Sequence, residues 1–362
     1  MGRKIWMFGA TLILTVGLLV GCGDTADSPA QDPAQGTETG EVAEGDGAGS
    51  DATVDENGEN AEAPKVVKIN AKKDKFMLPE ITMLTGEFVD LQFQFAKPMD
   101  KVNWESSDES VVKVGKNGSK IKAKRPGAAV VEGATEDGLH KFQCEVTVEK
   151  KPDSIIYLTF DDGPSRYSTP KILDILASND VHATFFELKP AVADFDLTQR
   201  VIDEGHTLAI HGYQHKYDQI YRSDEIYHEN LTKLQRLFYK KFGVWCTQTR
   251  FPGGSSNTVS RHYSQGIMTR LSKEVHEWGF LYQDWNVSSG DAGESDTADQ
   301  VFNMATSGFQ KGRSNVILMH DFSGNDKTIN ALQRIITWGK ENGYVFRAMT
   351  ASTPEVHHGI NN

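Results

Sequence analysis

The chain has 362 residues, with 38 Lys plus Arg against 50 Asp plus Glu and a formal net charge of −12. The surplus is local: residues 23–64 carry twelve acids and no Lys or Arg, leaving 38 acids against 38 bases elsewhere. A neutral body behind an acidic tract excludes nucleic acid as the expected partner, three cysteines are too few for a disulfide-stapled scaffold, and the length allows about two domains of roughly 100–200 residues.

Arg3 and Lys4 precede a mostly apolar run, Ile5 to Val20, which ends Leu19-Val20-Gly21-Cys22. A cationic start, an apolar core and small residues before a cut site describe an export signal rather than mature structure. The ending resembles the bacterial lipobox. That implies that Cys22 becomes the N-terminus and carries a diacylglycerol thioether, since the thiol is the group alkylated. Residues 1–22 are therefore expected to be a lipoprotein signal peptide. The expected location is the outer face of the bacterial cytoplasmic membrane, with the chain lipid-anchored and extending into the cell wall. Residues 23–64 are mostly small, acidic and Thr or Pro, without one aromatic side chain. They are expected to form a disordered acidic linker, because they cannot bury enough apolar surface to offset chain entropy. As a flexible coil the segment would span about 35–40 Å.

Residues 65–150 read as β. Short strand-like runs appear at Val66–Ile69, Phe88–Phe93, Val111–Val114 and Cys144–Val148, broken by turn-rich stretches at Ser106–Asp108, Lys116–Gly118 and Glu136–Gly138. This pattern suggests a sandwich. Val102-Asn103-Trp104-Glu105-Ser106-Ser107-Asp108 and Ala123-Lys124-Arg125-Pro126-Gly127-Ala128-Ala129 resemble a bacterial group 2 Ig-like domain, which implies an all-β spacer or a wall-adhesion module. Cys144 and Cys246 fall in different expected domains and are read as separate buried thiols.

From Ser154 the pattern alternates. Strands are expected at Ile155–Phe160, Val181–Phe186, His206–Ile210, Gln248–Phe251, Gly279–Trp285, Asn315–His320 and Tyr344–Arg347. Helices are expected after Thr169, read as a cap with Pro170 in the first turn, and near 191–204, 223–241, 265–277, 297–310 and 327–342. Such alternation means a parallel α/β domain over 151–362; a doubly wound sheet and a barrel both fit it.

Four polar groups follow strands in this reading: Asp161-Asp162-Gly163, His211-Gly212-Tyr213-Gln214-His215, Arg250-Phe251-Pro252-Gly253-Gly254 and Leu318-Met319-His320-Asp321. All lie at strand C-termini, the face that carries active sites in barrels and open α/β sheets. Two imidazoles and a carboxylate are the protein ligands of a catalytic metal that keeps a position open for water. Two adjacent carboxylates need different tasks, one on the metal and one free as base. Arg250 reads either as a salt-bridge partner or as the group orienting that base, and His320 as a proton donor. Together they suggest metal-assisted hydrolysis.

Thr159-Phe160-Asp161-Asp162-Gly163-Pro164, Ala183-Thr184-Phe185-Phe186, His211-x-x-x-His215, Arg250-Phe251-Pro252-Gly253-Gly254-Ser255 and Leu318-Met319-His320-Asp321 resemble the ordered motifs of the polysaccharide deacetylases, carbohydrate esterase family 4 or the NodB homology domain. The resemblance spans about residues 154–350. It implies an α/β fold, a distorted (β/α) barrel preceded by the all-β Ig-like sandwich, and removal of acetyl groups from N-acetylated sugars in a polymer. It further implies that Asp162, His211 and His215 hold a divalent metal, Zn²⁺ first with Co²⁺ or Ni²⁺ as alternatives. Asp161 would take the proton of the attacking water, with Arg250 holding it. The backbone N–H of Gly253 would face the oxyanion. His320 would protonate the leaving amine.

Two departures stand out. Gly212 replaces the Ser or Thr usual after the first metal His. In Trp285-Asn286-Val287-Ser288-Ser289-Gly290-Asp291, Ser288 stands where an Asp commonly orients the catalytic His, so Asp284 and Asp291 are both candidates for the relay partner of His320. Trp285, Tyr213 and Tyr217 are candidates for stacking on sugar rings, with packing as the alternative. His182, His206, His357 and His358 read as structural or exposed. The expected partner is an N-acetylated glycan, foremost peptidoglycan GlcNAc or MurNAc, acted on by a monomer held to the membrane through Cys22. Chitin oligomers, poly-GlcNAc, acetylated xylan and an inactive wall-binding module are the alternatives.

Overall fold

The computed structural model describes residues 76–361 apart from positions 98, 100 and 117. The signal segment 1–22 with Cys22, the acidic stretch 23–64 and the strand expected at Val66–Ile69 lie outside the described residues.

The first part is all-β: β1 (Glu80–Leu84), β2 (Phe88–Asp90), β3 (Val102–Ser106), β4 (Val112–Val114), β5 (Lys120–Ala123), β6 (Gly127–Thr135) and β7 (Lys141–Glu149). They form two sheets, ordered β1-β7-β6-β3 and β2-β5-β4, antiparallel except that β1 runs parallel to β7. Strict alternation along β7 buries Phe142, Cys144, Val146 and Val148, and these share one core with Val89, Val112 and Ile121 of the other sheet. Trp104 on β3 lies opposite Gly133 on β6, where a Cβ would stand only 2.6 Å from the indole, so glycine is what lets the ring lie flat. The strand expected over Phe88–Phe93 stops at Asp90. Its carboxylate accepts from Gln92 N at 3.2 Å and turns Leu91–Phe93 into a single 3-10 turn. Four strands, β1, β3, β5 and β6, had not been expected as such.

The second part alternates as expected: β8 (Ile155–Asp161), α1 (Thr169–Ser178), β9 (Thr184–Leu188), α2 (Phe195–Asp203), β10 (Thr207–Gly212), α3 (Tyr217–Ile220), α4 (Asp224–Phe242), β11 (Gln248–Thr249), α5 (Ile267–Glu277), β12 (Leu281–Tyr282), β13 (Val287–Ser288), α6 (Ala298–Gly308), β14 (Ser314–His320), α7 (Asp326–Glu341) and β15 (Val345–Phe346). The strands pair in parallel in the order β12-β11-β10-β9-β8-β14-β13, with β15 also on β8. β12 and β13 form opposite ends of that path yet follow one another in the chain. Laid flat, the ends would be about 29 Å apart at about 4.8 Å per strand, while the connection from Tyr282 to Val287 reaches about 18 Å at most. The sheet must therefore curl, and it does so into a parallel half-barrel.

The short α3 and the strand β13 had not been expected, the strand expected over Gln248–Phe251 ends at Thr249, and two further local expectations change. Thr169 is the first helical residue rather than the cap; its hydroxyl accepts from Ser165 N at 2.7 Å and donates to Asp321 Oδ2 at 2.6 Å. The single strand expected over Gly279–Trp285 is only Leu281–Tyr282, because Asp284 N turns away to the Val356 carbonyl at 2.8 Å.

The period of two decides which side chains reach the barrel interior. On β8, Ile156, Leu158 and Phe160 pack with α1, α6 and α7, while Ile155 and Tyr157 pack inward with Phe186, Ala209 and Val316. Asp161 continues the inward series of β8, His211 that of Ala209 on β10, and His320 that of Val316 on β14. Cys144 and Cys246 are both buried and free.

Candidate active site

Strand parity and strand ends bring four of the motifs to one place. Asp161 closes β8, and Asp162 follows in the left-handed region at φ 73°, a conformation Asp tolerates better than most residues. His211 Nε2 lies 3.5 Å and His215 Nε2 3.7 Å from Asp162 Oδ1. One ligand atom from each of the three residues falls within 4.8 Å of the other two. His211 donates from Nδ1 to the Arg250 carbonyl at 3.0 Å, which leaves Nε2 with its lone pair toward the cluster. Asp162 Oδ1 is buried and has no hydrogen-bond partner. A buried carboxylate oxygen is normally satisfied, so an orphan between two imidazole Nε2 atoms fits a divalent cation. The residues present suit the metal that the donor set implies.

Asp161 lies alongside and is 2% exposed. Arg250, wholly buried, donates from Nη1 to Asp161 Oδ1 at 2.7 Å and to Thr159 Oγ1 at 2.8 Å, from Nε to the Gln283 carbonyl at 2.8 Å, and from Nη2 to the Asp284 carbonyl at 3.1 Å. Its guanidinium also sits 4.2 Å from the centre of the Phe186 ring. A guanidinium fixed at so many points cannot swing away, so Asp161 presents its other oxygen, Oδ2, to the cluster, 3.8 Å from His211 Nε2. Such a buried pair adds little net stability, but removing one partner leaves an uncompensated charge at a cost of about 3–5 kcal/mol.

His320 closes β14. Its Nδ1–H donates to Asp291 Oδ1 at 2.8 Å. The second oxygen of Asp291 accepts from His320 N at 2.8 Å, Asn325 Nδ2 at 2.9 Å and Thr328 Oγ1 at 2.6 Å. Burial alone would lower the His320 pKa; the bond to Asp291 and the charges of Asp291, Asp161 and Asp162 outweigh it and raise it above the usual value. Burial pushes the Asp291 carboxyl up, and its bonds to His320, Thr328 and Asn325 bring it below the ordinary carboxylate range. The other relay candidate, Asp284, is engaged elsewhere: it accepts from Ser255 N at 2.8 Å, Ser255 Oγ at 2.5 Å and His358 N at 2.8 Å. Asp284 therefore braces the loop after Arg250, and Asp291 alone is on His320. Ser288 accepts from Gly290 N at 3.1 Å.

Gly253 stands in the left-handed region at φ 79°, where a Cβ would run into the Tyr217 hydroxyl. Tyr217 meets His215 edge-on at 5.7 Å, which places this ring at the cluster. Trp285 covers Gly254, where a Cβ would come within 2.9 Å of the indole. Tyr213 instead carries Lys233 over its ring at 4.4 Å. Gly212 has φ 137°, and a side chain there would collide with the Asn230 amide, so the missing hydroxyl is a backbone requirement here. Thr159, Ser255, Asn325 and Thr328 were not foreseen as site residues. Only Thr159 and Ser255 had a signal, as flanks of quoted motifs; Asn325 and Thr328 are uncharged positions beyond them.

The chain matches the polysaccharide deacetylase family over residues 148–268. It is similar to the putative polysaccharide deacetylase YheN of Bacillus subtilis (strain 168), 35% identical over 218 residues that cover 58% of this chain and 72% of that protein. A peptidoglycan-N-acetylglucosamine deacetylase of Bacillus cereus is 33% identical over 208 residues, 55% of this chain and 70% of its own. Among solved structures, the catalytic domain of the peptidoglycan N-acetylglucosamine deacetylase from Eubacterium rectale ATCC 33656 superposes with a TM-score of 0.56 at 42% identity, covering 59% of this chain and 96% of that one.

Proposed function

The chain belongs to the polysaccharide deacetylase family, and on that premise we propose that it is a metal-dependent hydrolase removing N-acetyl groups from the amino sugars of peptidoglycan. The observation that supports the metal is the orphaned Asp162 Oδ1 between the His211 and His215 Nε2 atoms. A cation held by Asp162, His211 and His215, Zn²⁺ first, supplies Lewis acidity toward the acetamide carbonyl and the attacking water. Asp161 accepts the proton of that water through Oδ2, since Arg250 occupies Oδ1. Arg250 acts through Asp161 and is a positioning residue. Negative charge developing on the acetyl oxygen faces the Gly253 N–H, as the family motif implies. His320, its Nδ1–H on Asp291, gives up the Nε2 proton to the sugar nitrogen as the C–N bond breaks. The proton is required because an amide anion is too basic to depart unprotonated.

Peptidoglycan as substrate is supported by the names of the similar proteins and by the lipobox and acidic tract of the sequence. The proposed arrangement places a lipid at Cys22, a tether over 23–64 and an Ig-like spacer over 65–150 between the membrane and the enzyme. Cys22→Ser would then move the protein from the membrane fraction to the soluble one. The test of the substrate is acetate release by the full chain from purified peptidoglycan, chitin oligomers and acetylated xylan. Fastest release from peptidoglycan supports the proposal. Release from chitin oligomers or xylan alone refutes the wall substrate, and none from any of them by the metal-loaded protein favours a wall-binding module.

A further inference from the structure

Far along the chain from the first cluster, the structure gathers a second set of metal-type ligands, on residues that no part of the deacetylase chemistry uses. His276 lies in the last turn of α5, and Glu355 and His357 on the C-terminal segment. The last two are separated by one residue, so in extended chain both project to the same side, while Val356 between them packs toward the barrel interior with Met349 and Phe186. His276 Nε2 is 2.9 Å and His357 Nε2 3.2 Å from Glu355 Oε1, and the three ligand atoms fall within 4.8 Å of one another.

We propose that His276, Glu355 and His357 form a second divalent-metal site, which takes a transition cation of the Zn²⁺ class and fastens the C-terminal segment to the strand ends that cradle Arg250. Two imidazoles and one carboxylate are an established donor set for such an ion, with water filling the remaining position. Ligands about 2.0–2.1 Å from a tetrahedral Zn²⁺ lie about 3.3 Å from one another, close to the spacings seen here and tighter than the 3.5 and 3.7 Å of the first cluster. The surroundings orient each ligand, as a metal site requires. The His276 ring packs against the Tyr282 ring, with centroids 5.5 Å apart. His357 stacks on Tyr282 at 3.9 Å with 8° between the planes. Tyr282 N donates to Glu355 Oε1 at 2.8 Å. The two histidine side chains are each 36% exposed, so solvent supplies both the fourth ligand and a route for the ion.

The location gives the site its consequence. Val356 N donates to Gln283 Oε1 at 3.1 Å, Asp284 N to the Val356 carbonyl at 2.8 Å and His358 N to Asp284 Oδ2 at 2.8 Å. Gln283 and Asp284 are the residues whose carbonyls hold Arg250. A cation on Glu355 and His357 therefore clamps the segment that borders the Arg250 cradle, and its role is structural.

The test is Zn²⁺ titration calorimetry on the chelator-stripped full chain. Wild type is expected to bind two Zn²⁺ and His357→Ala one. In a chain whose first cluster is removed by Asp162→Ala with His211→Ala, one site is expected to remain, Zn²⁺ to raise its unfolding temperature, and Glu355→Gln to abolish both effects. Co²⁺ loading adds a readout independent of that background: His357→Cys in the otherwise wild-type chain should retain two Co²⁺ and gain a thiolate-to-cobalt charge-transfer band. One Zn²⁺ in wild type that disappears when the first cluster is removed, or two that persist in both His357→Ala and Glu355→Gln, would overturn the site and leave only a hydrogen-bonded His-Glu-His cluster.

Discussion

Replacing Asp291 by Asn tests the proton donor at a single atom. In the folded chain the Asp291 carboxylate holds His320 Nδ1–H through Oδ1 and takes three further donors through Oδ2. An asparagine keeps one carbonyl oxygen. Turned toward the three donors, it presents its NH2 to His320 Nδ1, which must then accept, so the ring loses its second proton. Turned the other way, it sets NH2 against three donors. Either way the Asp291 charge and its charged hydrogen bond, the largest contributions that raise the His320 pKa, are gone, while the burial that lowers it and the weaker pull of Asp161 and Asp162 remain. A hydrogen bond to a charged group contributes about 1.5–3 kcal/mol, and one pH unit corresponds to about 1.4 kcal/mol, so the His320 pKa should fall by about 1–2 units. His320 acts as its protonated form, so kcat declines as pH rises through this pKa. The alkaline limb of the kcat profile should therefore move about 1–2 units toward acid in Asp291→Asn, and the rate deficit should grow to about ten- to a hundredfold at high pH and narrow as pH falls. The assay is acetate release at saturating substrate, with NMR titration of the His320 ring as the direct check. An alkaline limb that stays in place, in a variant with native near-ultraviolet circular dichroism, refutes the assignment of Asp291 as the partner of the proton donor.

Arg250→Met should abolish turnover and cost about 3–5 kcal/mol of stability, because Asp161 is left buried without its counter-charge; urea unfolding that differs by less than about 1 kcal/mol would contradict this. Burial pushes the Glu187 carboxyl up to about 8, with Asp321 adding to the rise and the Thr198 hydroxyl opposing it. A carboxyl raised above its ordinary 4.5 contributes stability that is fully present below that value and is lost as pH climbs through the folded value. Wild type should therefore lose stability between pH 5 and pH 8, with at most about 1.4 kcal/mol per unit coming from this carboxyl, and Glu187→Gln should reduce that slope in urea midpoints measured across the range; equal slopes would count against it. Gly253→Ala should destabilise the chain by about 1–2 kcal/mol from its left-handed backbone and slow turnover. Adding Tyr217→Phe should restore part of the stability by removing the colliding hydroxyl, and no effect of either substitution would refute the reading of that loop.

Much of this was legible because a parallel α/β chain sends its strand ends to one face, and period-two alternation sends Asp161, His211 and His320 to one side of it. Motif text therefore located the residues before any contact was known. The relay was not legible. Asp284 and Asp291 flank the same tryptophan in the sequence, and what separates them is the pairing of the two-residue β13 with β14 together with donors from Asn325, just before α7, and Thr328, in its first turn, some 34 and 37 positions away. Strand length was misread at Phe88–Phe93 because local apolarity says extend while the Asp90 carboxylate stops the strand. His357 and His358 looked idle because their partners, Glu355 aside, come from α5 and from the loops after β11 and β12, a relation that no short spacing encodes.

The most direct measurement of the central claim is acetate release against bound metal for wild type, His211→Ala and Asp161→Asn, each stripped with chelator and reloaded with Zn²⁺ while metal content at the first cluster is counted. The expected result is activity that returns with the metal in wild type, loss of both metal and activity in His211→Ala, and full metal with turnover down by about 10²–10⁴ in Asp161→Asn. Undiminished acetate release by stripped wild type, or by metal-loaded Asp161→Asn, would contradict it.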